Sequence, residues 1–257
     1  MTRIPRKIVE DGSSAFGPAR YGDSFADVYD DWYDDVSDAA ATAAFVGRFG
    51  ESQRILELGV GTGRLSTPMA EAGHLVIGVD ASLAMLERFG GVDDPLVSLP
   101  VGADMSVLPF APASFDTVLV ATNTLFNLNE PGSHAECLAE CRRVLRLGGR
   151  LIVEAMVPAA PDPHLERLVT TRSLTVDTAV LTATIRDPEN QEITGQHIEI
   201  SEAGIRMRPW KIRYSTPAQL DDIANKRGLR LGDRFADWAE RPFTEDDPNA
   251  VSVYVAV

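Results

Sequence analysis

The segment Glu57-Leu-Gly59-Val-Gly61-Thr-Gly63-Arg64 decides how this chain is read. It follows a short apolar run, Arg54-Ile-Leu-Glu-Leu58, and leads into a helical stretch from Arg64 to Ala72. A buried strand that runs into glycines makes a turn whose backbone can approach a ligand closely, with helix amides pointing at it. Asp80 ends the next buried run, Val76-Ile-Gly-Val79, where a carboxylate can accept hydrogen bonds from ribose hydroxyls. The first inference is an adenosine-containing ligand; a tight turn with no ligand is the plainer alternative. The nicotinamide fingerprint needs Gly or Ala at position 64, where Arg64 stands, and no Gly-Lys-Ser/Thr phosphate loop is present.

Outward from this turn, strands alternate with helices. Leu96 to Val101, Phe115 to Ala121 and Arg150 to Glu154 read as further strands. Ser82 reads as the cap of a helix Leu83 to Phe89, and about Gly132 to Leu147 as a helix stopped by Gly148-Gly149. This rhythm predicts a doubly wound parallel α/β sheet. Residues 158–215 break it. Ser173–Ile185, Glu192–Ile200 and Ile205–Tyr214 alternate apolar with polar, with turns at Asp187-Pro-Glu-Asn190 and Glu202-Ala-Gly204, and predict an inserted antiparallel β meander. The α/β pattern resumes with a helix from Thr216-Pro217 to Lys226 and strands Leu229 to Phe235 and Val251 to Val257. At the other end, residues 1–20 read as a loose arm. Phe25, Tyr29, Trp32 and Val36 then fall at helical spacing, with an acidic face from Asp23 to Asp35. A second helix follows from Asp38 to Phe49, capped by Ser37 or Asp38. The expected organisation is an arm and helical cap at 1–50, a core at 51–157 and 216–257, and inserted strands at 158–215.

The 257 residues carry 24 Lys+Arg against 38 Asp+Glu, a net charge of -14. That excess argues against a nucleic-acid groove or an anionic membrane surface, both of which need clustered cations. Two cysteines make no disulfide framework, no run approaches a membrane span, and the N-terminus lacks the apolar core of a signal peptide. The expectation is a cytoplasmic protein.

The glycine triplet, with an acid two places before its first member, resembles motif I of the class I S-adenosylmethionine-dependent methyltransferases. Val79-Asp80-Ala-Ser82 with Met85 is similar to the family's second motif, and Gly102-Ala-Asp104-Met105 to its third. Phe115-Asp116 and Arg143-Val-Leu-Arg-Leu-Gly-Gly149 resemble those around strands four and five. The similarity covers roughly 21–157 and returns at 212–232. It implies a Rossmann-like sheet of seven strands, the last antiparallel, with S-adenosylmethionine as cofactor and S-adenosylhomocysteine as product. By the same resemblance the turn Gly59, Gly61, Thr62, Gly63 passes under the methionine part of the cofactor, and Glu57 holds the turn and reaches the amino group. Asp80 binds the ribose diol, and Ala81 and Met85 pack on adenine. Asp104 meets the exocyclic amine, the Met105 amide a ring nitrogen, and Ala121 lies on the strand that reaches the sulfonium. Read from residue type alone, Met85 and Met105 are equally core fillers.

Tyr21-Gly-Asp-Ser-Phe-Ala-Asp-Val-Tyr29-Asp resembles the N-terminal cap of small-molecule methyltransferases, including those that methylate amino sugars. That implies Tyr21 and Tyr29 closing over the cofactor, since aromatic faces attract a sulfonium cation. Phe25 and Trp32 read instead as the buried stripe of a docking helix. Methyl transfer is an in-line displacement, so positioning supplies much of the catalysis. A base is needed only when the nucleophile arrives protonated. The loop Thr122-Asn-Thr-Leu-Phe-Asn127-Leu-Asn129 faces the expected mouth, with Asn123 and Asn127 as substrate candidates. Asn127 stands where the resembling amino-sugar enzymes carry a histidine, which removes the obvious base; Asn127 either orients a substrate or caps a turn, and Tyr21 is left as a proton acceptor through water. His134 reads as solvated, and His164 and His197 as surface or cross-strand groups. The histidine spacing fits no metal. Arg172, Arg186, Arg206, Arg208, Lys211 and Arg213 make the inserted strands basic. They form either a wet face or a rim for an anionic substrate group, with Arg208 and Trp210 as candidates. Cys137 and Cys141, four apart on one helix face, read as buried thiols.

The leading expectation is methyl transfer to a small metabolite, an amine before oxygen or carbon, with the insertion covering the substrate or joining two copies in a homodimer. Two alternatives stay open: an NAD-dependent oxidoreductase, and a non-catalytic S-adenosylmethionine-binding protein acting through the meander.

Overall fold

The computed structural model describes residues 16–33, 38–90, 98–160, 162, 164 and 166–257. The first part of the loose arm, Asp34, Asp35, Val36 and the Ser37 cap alternative therefore lie outside the described residues. Seven strands form one sheet: β1 (Arg54–Leu58), β2 (Leu75–Asp80), β3 (Ser98–Gly102), β4 (Phe115–Val120), β5 (Leu145–Met156), β10 (Leu229–Phe235) and β11 (Asn249–Ala256). Their order is β10-β11-β5-β4-β1-β2-β3. β3, β2, β1, β4 and β5 pair in parallel, and β11 enters antiparallel between β5 and β10.

The central strands are buried on both faces, which explains their unbroken apolar runs. Ile55, Leu119 and Ile152 point to one side, against Phe45 and Val46 of α3 (Ala39–Gly47) and Met69 of α4 (Ser66–Glu71). Leu56, Val118 and Leu151 point to the other, against Cys137, Leu138 and Cys141 of α6 (Ser133–Val144) and Leu220 and Ala224 of α7 (Pro217–Asn225). Asp38 caps α3 through the Ala41 amide, Ser82 caps α5 (Leu83–Leu86), and Thr216 with Gln219 forms a capping box on α7. The cysteines are buried and free, with no disulfide between them.

Three boundaries differ from the sequence reading. The helix before β5 stops at Val144, because Leu145 already pairs with Phe115; Gly148 and Gly149 then form an irregularity inside β5, with Gly148 at φ +74. The first inserted segment is two strands, β6 (Arg167–Leu174) and β7 (Thr178–Asp187), because Thr175 and Asp177 hydrogen-bond to each other and close a turn. With β8 (Glu192–Ser201) and β9 (Gly204–Arg213) they form a separate antiparallel sheet, β6-β7-β8-β9. The cap is also two helices, α1 (Arg20–Phe25) and α2 (Tyr29–Tyr33), rather than one from Phe25 onward. A continuous helix would give the Ser24 carbonyl to the Val28 amide. Arg208 Nη1 takes that carbonyl at 2.6 Å instead, and Val28 N–H turns to the Phe25 oxygen at 3.0 Å.

The inserted sheet alternates in the antiparallel manner. Thr182, His197 and Arg208 share a cross-strand row on the face against the cap, where His197 packs edge-on to Phe25 and Trp32. The opposite face leaves Val169, Ile205 and Met207 exposed.

Candidate functional site

At the C-terminal edge of β1, β2 and β4, beneath the cap, lies a cavity of about 310 Å³. That is the size range of small-ligand sites. Its floor is the glycine turn, in which Gly59, Gly61 and Gly63 hold φ of +72, +56 and +91. A Cβ on Gly59 would come within 2.2 Å of the Thr124 methyl and one on Gly63 within 2.6 Å of the Phe89 ring, so both glycines allow close packing behind the floor. Gly61 differs: a Cβ there would meet only Tyr29, at 3.8 Å, so its open side faces the cavity.

One end of the cavity is shaped by Asp80, Ala81, Met85, Asp104 and Met105. Asp80 accepts the Gly61 amide on one oxygen and the Ser82 amide on the other, at 2.9 and 2.8 Å, which ties the turn to the end of β2. Burial nonetheless raises its pKa, more than those amides lower it. Asp104 is oriented by the amide and hydroxyl of Ser106.

Behind the turn, Glu57 is buried and bonded to Ser66 Oγ at 2.6 Å; desolvation pushes its pKa up to about 7. Glu154, also raised by burial, accepts the Thr122 amide and the Trp238 indole N–H.

The other end is a tyrosine wall supplied by the cap. Tyr21, Tyr29 and Tyr33 line the cavity, and Tyr21 Oη donates to Tyr33 Oη at 3.0 Å. Burial, then the neighbouring tyrosines, raise the Tyr21 pKa well above its ordinary value, and burial pushes Tyr29 to about 12. The Tyr21 proton is held in a hydrogen bond, which argues against the proton-acceptor role expected of it. The mouth is closed by Thr122, Asn123, Thr124 and Asn127 from the β4 loop and by Trp210 and Ile212 from β9. Thr122 and Asn123 both sit in the left-handed region, at φ +53 and +60, and Asn123 Oδ1 accepts the Met156 amide at 2.6 Å. Two adjacent non-glycine residues in that conformation persist only because the surroundings hold them.

Most of the expected site residues therefore meet in this cavity: the tyrosines 21 and 29, Gly59, Gly61, Asp80, Ala81, Met85, Asp104, Met105, Asn123, Asn127 and Trp210. Glu57, Thr62, Gly63 and Ala121 stand behind its surface. Thr62 donates to Asp30 of the cap at 2.6 Å, and Ala121 is packed with the α3 and α4 side chains of the core.

Arg208 is not free for a substrate anion. It is buried and bonded to Asp27 and the Ser24 carbonyl, because the cap seats on it. The other inserted cations are engaged as well: Arg206 with Asp27, Lys211 with Glu192, and Arg172 with the Trp32 carbonyl. His134 is buried rather than solvated: it bonds Ser215 Oγ at 3.0 Å, and desolvation pushes its pKa down to about 4.

Tyr33 and Met156 were not expected; Thr122 and Thr124 belong to the loop expected at the mouth, though neither was singled out. Tyr33 carried a signal, its four-residue spacing from Tyr29. Among the described residues no group of three or more His, Cys, Asp or Glu could hold a metal ion, and no helix is long and apolar enough to cross a membrane.

Residues 56–153 match the family model described as "Methyltransferase domain". The CcbJ methyltransferase from Streptomyces caelestis is 35% identical, with 93% of this chain and 99% of that one covered and a TM-score of 0.87. The chain belongs to the class I S-adenosylmethionine-dependent methyltransferases. Its cofactor is S-adenosylmethionine, so the nicotinamide reading falls. The residues present suit that cofactor: a carboxylate at the end of β2, an apolar slot beside it, a glycine floor open at Gly61 and an aromatic wall for a sulfonium. The methyltransferase is also 43% identical over 101 residues to a demethylmenaquinone methyltransferase from Renibacterium salmoninarum, a match that spans only 40% of that protein. The sugar N-methyltransferase KedS8 from a Streptoalloteichus species, 17% identical with a TM-score of 0.65 over 98% of both chains, shares the fold.

Proposed function

We propose that this methyltransferase moves the methyl group of S-adenosylmethionine to a neutral amine of a small molecule. The observation that carries this reading is the chemistry of the cavity wall. Its charged members are Asp80 and Asp104, both at the nucleoside end, and the mouth offers amides, hydroxyls and apolar groups but no group ready to take a proton. An amine with a free lone pair needs no base, whereas a hydroxyl or a quinol carbon must be deprotonated to attack.

The bound cofactor supplies an electrophilic methyl on a positively charged sulfur. In the proposed mechanism, Asp80 would hold the ribose and Gly61 would leave room for the methionine part. Tyr21, Tyr29 and Tyr33 would exclude water and face the positive charge. Asn127 and Asn123 would orient the acceptor, and Trp210 and Ile212 would make the inserted strands its cover. The β4 loop is pinned from beneath by Glu154 and Met156, so such positioning is rigid.

The test is methyl transfer to matched panels of amines, alcohols and quinols, with products identified by mass spectrometry. An amine acceptor predicts N-methyl product and a rate that follows the acceptor's own pKa. Methylation of a quinol carbon alone, the reading favoured by the demethylmenaquinone methyltransferase relative, would overturn it. A protein that binds S-adenosylmethionine but transfers to no panel member would favour the non-catalytic alternative.

We propose further that the outer face of the inserted sheet receives a second copy of the chain. Val169, Leu174, Ile205 and Met207 are each more than half exposed there, an apolar patch on a protein with net charge -14. Four strands about 4.8 Å apart and some ten residues long offer roughly 600 Å², close to the ~800 Å² per partner of stable interfaces. Light scattering of the wild type and of Ile205→Lys/Met207→Lys should show a dimer converted to a monomer; a monomeric wild type sinks this proposal.

A further inference from the structure

Three cap aspartates, read from sequence as one acidic face, bind three different elements. Asp23 accepts from Ser82 Oγ, beside the Asp80 carboxylate, at 2.6 Å, and Asp30 accepts from Thr62 Oγ1, inside the glycine turn, at 2.6 Å. Both partners are buried hydroxyls behind the cavity surface, Ser82 next to the end of β2 and Thr62 in the glycine turn. Asp27 instead turns to the inserted sheet. Arg208 Nη1 and Nη2 reach its two oxygens at 2.7 and 2.9 Å, and Arg206 Nη1 reaches it at 2.5 Å. The Arg208 side chain is 2% exposed, donates also to the Ser24 carbonyl at 2.6 Å, and lies 5.4 Å from the Trp32 ring centre. Arg172 adds a bond to the Trp32 carbonyl, with its guanidinium 4.6 Å from the Tyr33 ring.

The geometry points to Arg208 and Asp27 as positioning residues for the cofactor: their bidentate pair, with Arg208 buried and Asp27 at the rim, fixes the break between α1 and α2, and so sets the tyrosine wall against the cavity. By taking the Ser24 carbonyl, Arg208 ends α1 four residues after Tyr21, and Asp27 anchors the turn that aims Tyr29 and Tyr33 back over Gly61. A bidentate arginine–carboxylate pair of this kind is directional as well as strong, whereas the Asp23 and Asp30 contacts are single bonds from rotatable hydroxyls. The cap is thus held firmly on the inserted sheet and lightly on the cofactor loops, so the wall can lift from the glycine turn while its other side stays seated. Inserted strands with no direct contact to the nucleoside end would in this way govern how long the cofactor stays.

The inference rests on the cavity being the S-adenosylmethionine site, and the experiment separates the two. S-adenosylmethionine and S-adenosylhomocysteine are titrated calorimetrically into the full-length wild type, Arg208→Ala, Arg208→Lys, Asp27→Asn and Arg206→Ala. Dissociation rates are followed by stopped-flow fluorescence. A wall that lifts more readily lets a bound ligand leave faster without changing how often one arrives. Arg208→Ala should therefore release both ligands at least about tenfold faster with association little changed, Arg208→Lys and Asp27→Asn should fall between, and Arg206→Ala, on the exposed side, should shift by about twofold. Arg186→Ala serves as control: Arg186 bonds Ala159 and Tyr214 on the same sheet, away from the cap, and its loss should leave binding unchanged. If Arg208→Ala does not fold, the order Arg208→Lys, Asp27→Asn, Arg206→Ala carries the test. Folded variants that bind and release like the wild type, or a control that loses as much as Arg208→Lys, would overturn the inference. A wild type that binds neither ligand would overturn the site itself.

Discussion

The walls of the cavity and the seat of the cap on the inserted sheet hold their acids in opposite ways. Around the seven-stranded sheet, Glu57, Asp80 and Glu154 are desolvated, receive neutral donors, and have pKa values raised by burial. Where the inserted sheet meets the cap, Asp27 is met by arginines, and its pKa is lowered by the Arg208 bonds. In the first region burial outweighs the attraction of Arg64 for Glu57 and Glu154; in the second the arginines have already neutralised the charge. The difference teaches where a cation belongs. A ligand bearing a sulfonium and an ammonium group is favoured over the glycine turn, while an anionic substrate group gains nothing from Arg208.

The sharpest way to break this comparison is Gly61→Val. A branched side chain there fills the open face of the turn, and about 100-fold or more of cofactor affinity should be lost in calorimetry while the fold survives. Intact binding would place the ligand elsewhere. Asp80→Asn comes next: losing a charged acceptor should weaken binding by about 1.5–3 kcal/mol. An unchanged affinity would remove Asp80 from the site.

The Glu57 carboxyl sharpens the point through pH. Its folded pKa, about 7, lies above the ordinary carboxylate value, so the folded protein holds the proton more tightly than the unfolded chain does. Stability from this group is fully present at low pH and declines as pH rises from about 4.5 through 7. A cationic ligand favours the ionised form, so cofactor affinity should climb over the upper part of that window and then level off. Glu57→Gln should flatten both profiles; a wild-type affinity independent of pH between 5.5 and 8 would contradict it. His134 and His197 act in the opposite direction, since desolvation pushes both down to about 4. Their contribution is present above the ordinary histidine pKa and is lost as pH falls from about 6.5 toward 4, which acid unfolding of His134→Phe would reveal as a shallower slope. The smallest expected effect is on the far side of the inserted sheet. Ile205→Lys/Met207→Lys should leave cofactor affinity within about twofold, even where self-association is lost; a larger change would mean the outer face communicates with the site.

Legibility followed the range of the interactions. The doubly wound sheet and the caps at Asp38, Ser82 and Thr216 were legible because each rests on residues a few positions apart. The glycine turn and Asp80 were legible for the same reason, whereas the antiparallel last strand and Asp104 came from the family resemblance. The mouth was not legible. Nothing local announces that Thr122 and Asn123 adopt left-handed backbones, since that is imposed by Glu154 and Met156 on the neighbouring strand. His134 looked like a first-turn surface residue until Ser215, distant in sequence, closed over it.

By itself the sequence determined the fold and the glycine turn and pointed to an adenosine-containing ligand, because backbone conformation and strand burial are written in short patterns of residue type. The tertiary structure alone decided which charges remain available. An aspartate or arginine has the same local signature whether it is solvated or paired, and only the packing of the cap against β8 and β9 joins Asp27 to Arg208 and leaves Asp80 open to the cavity.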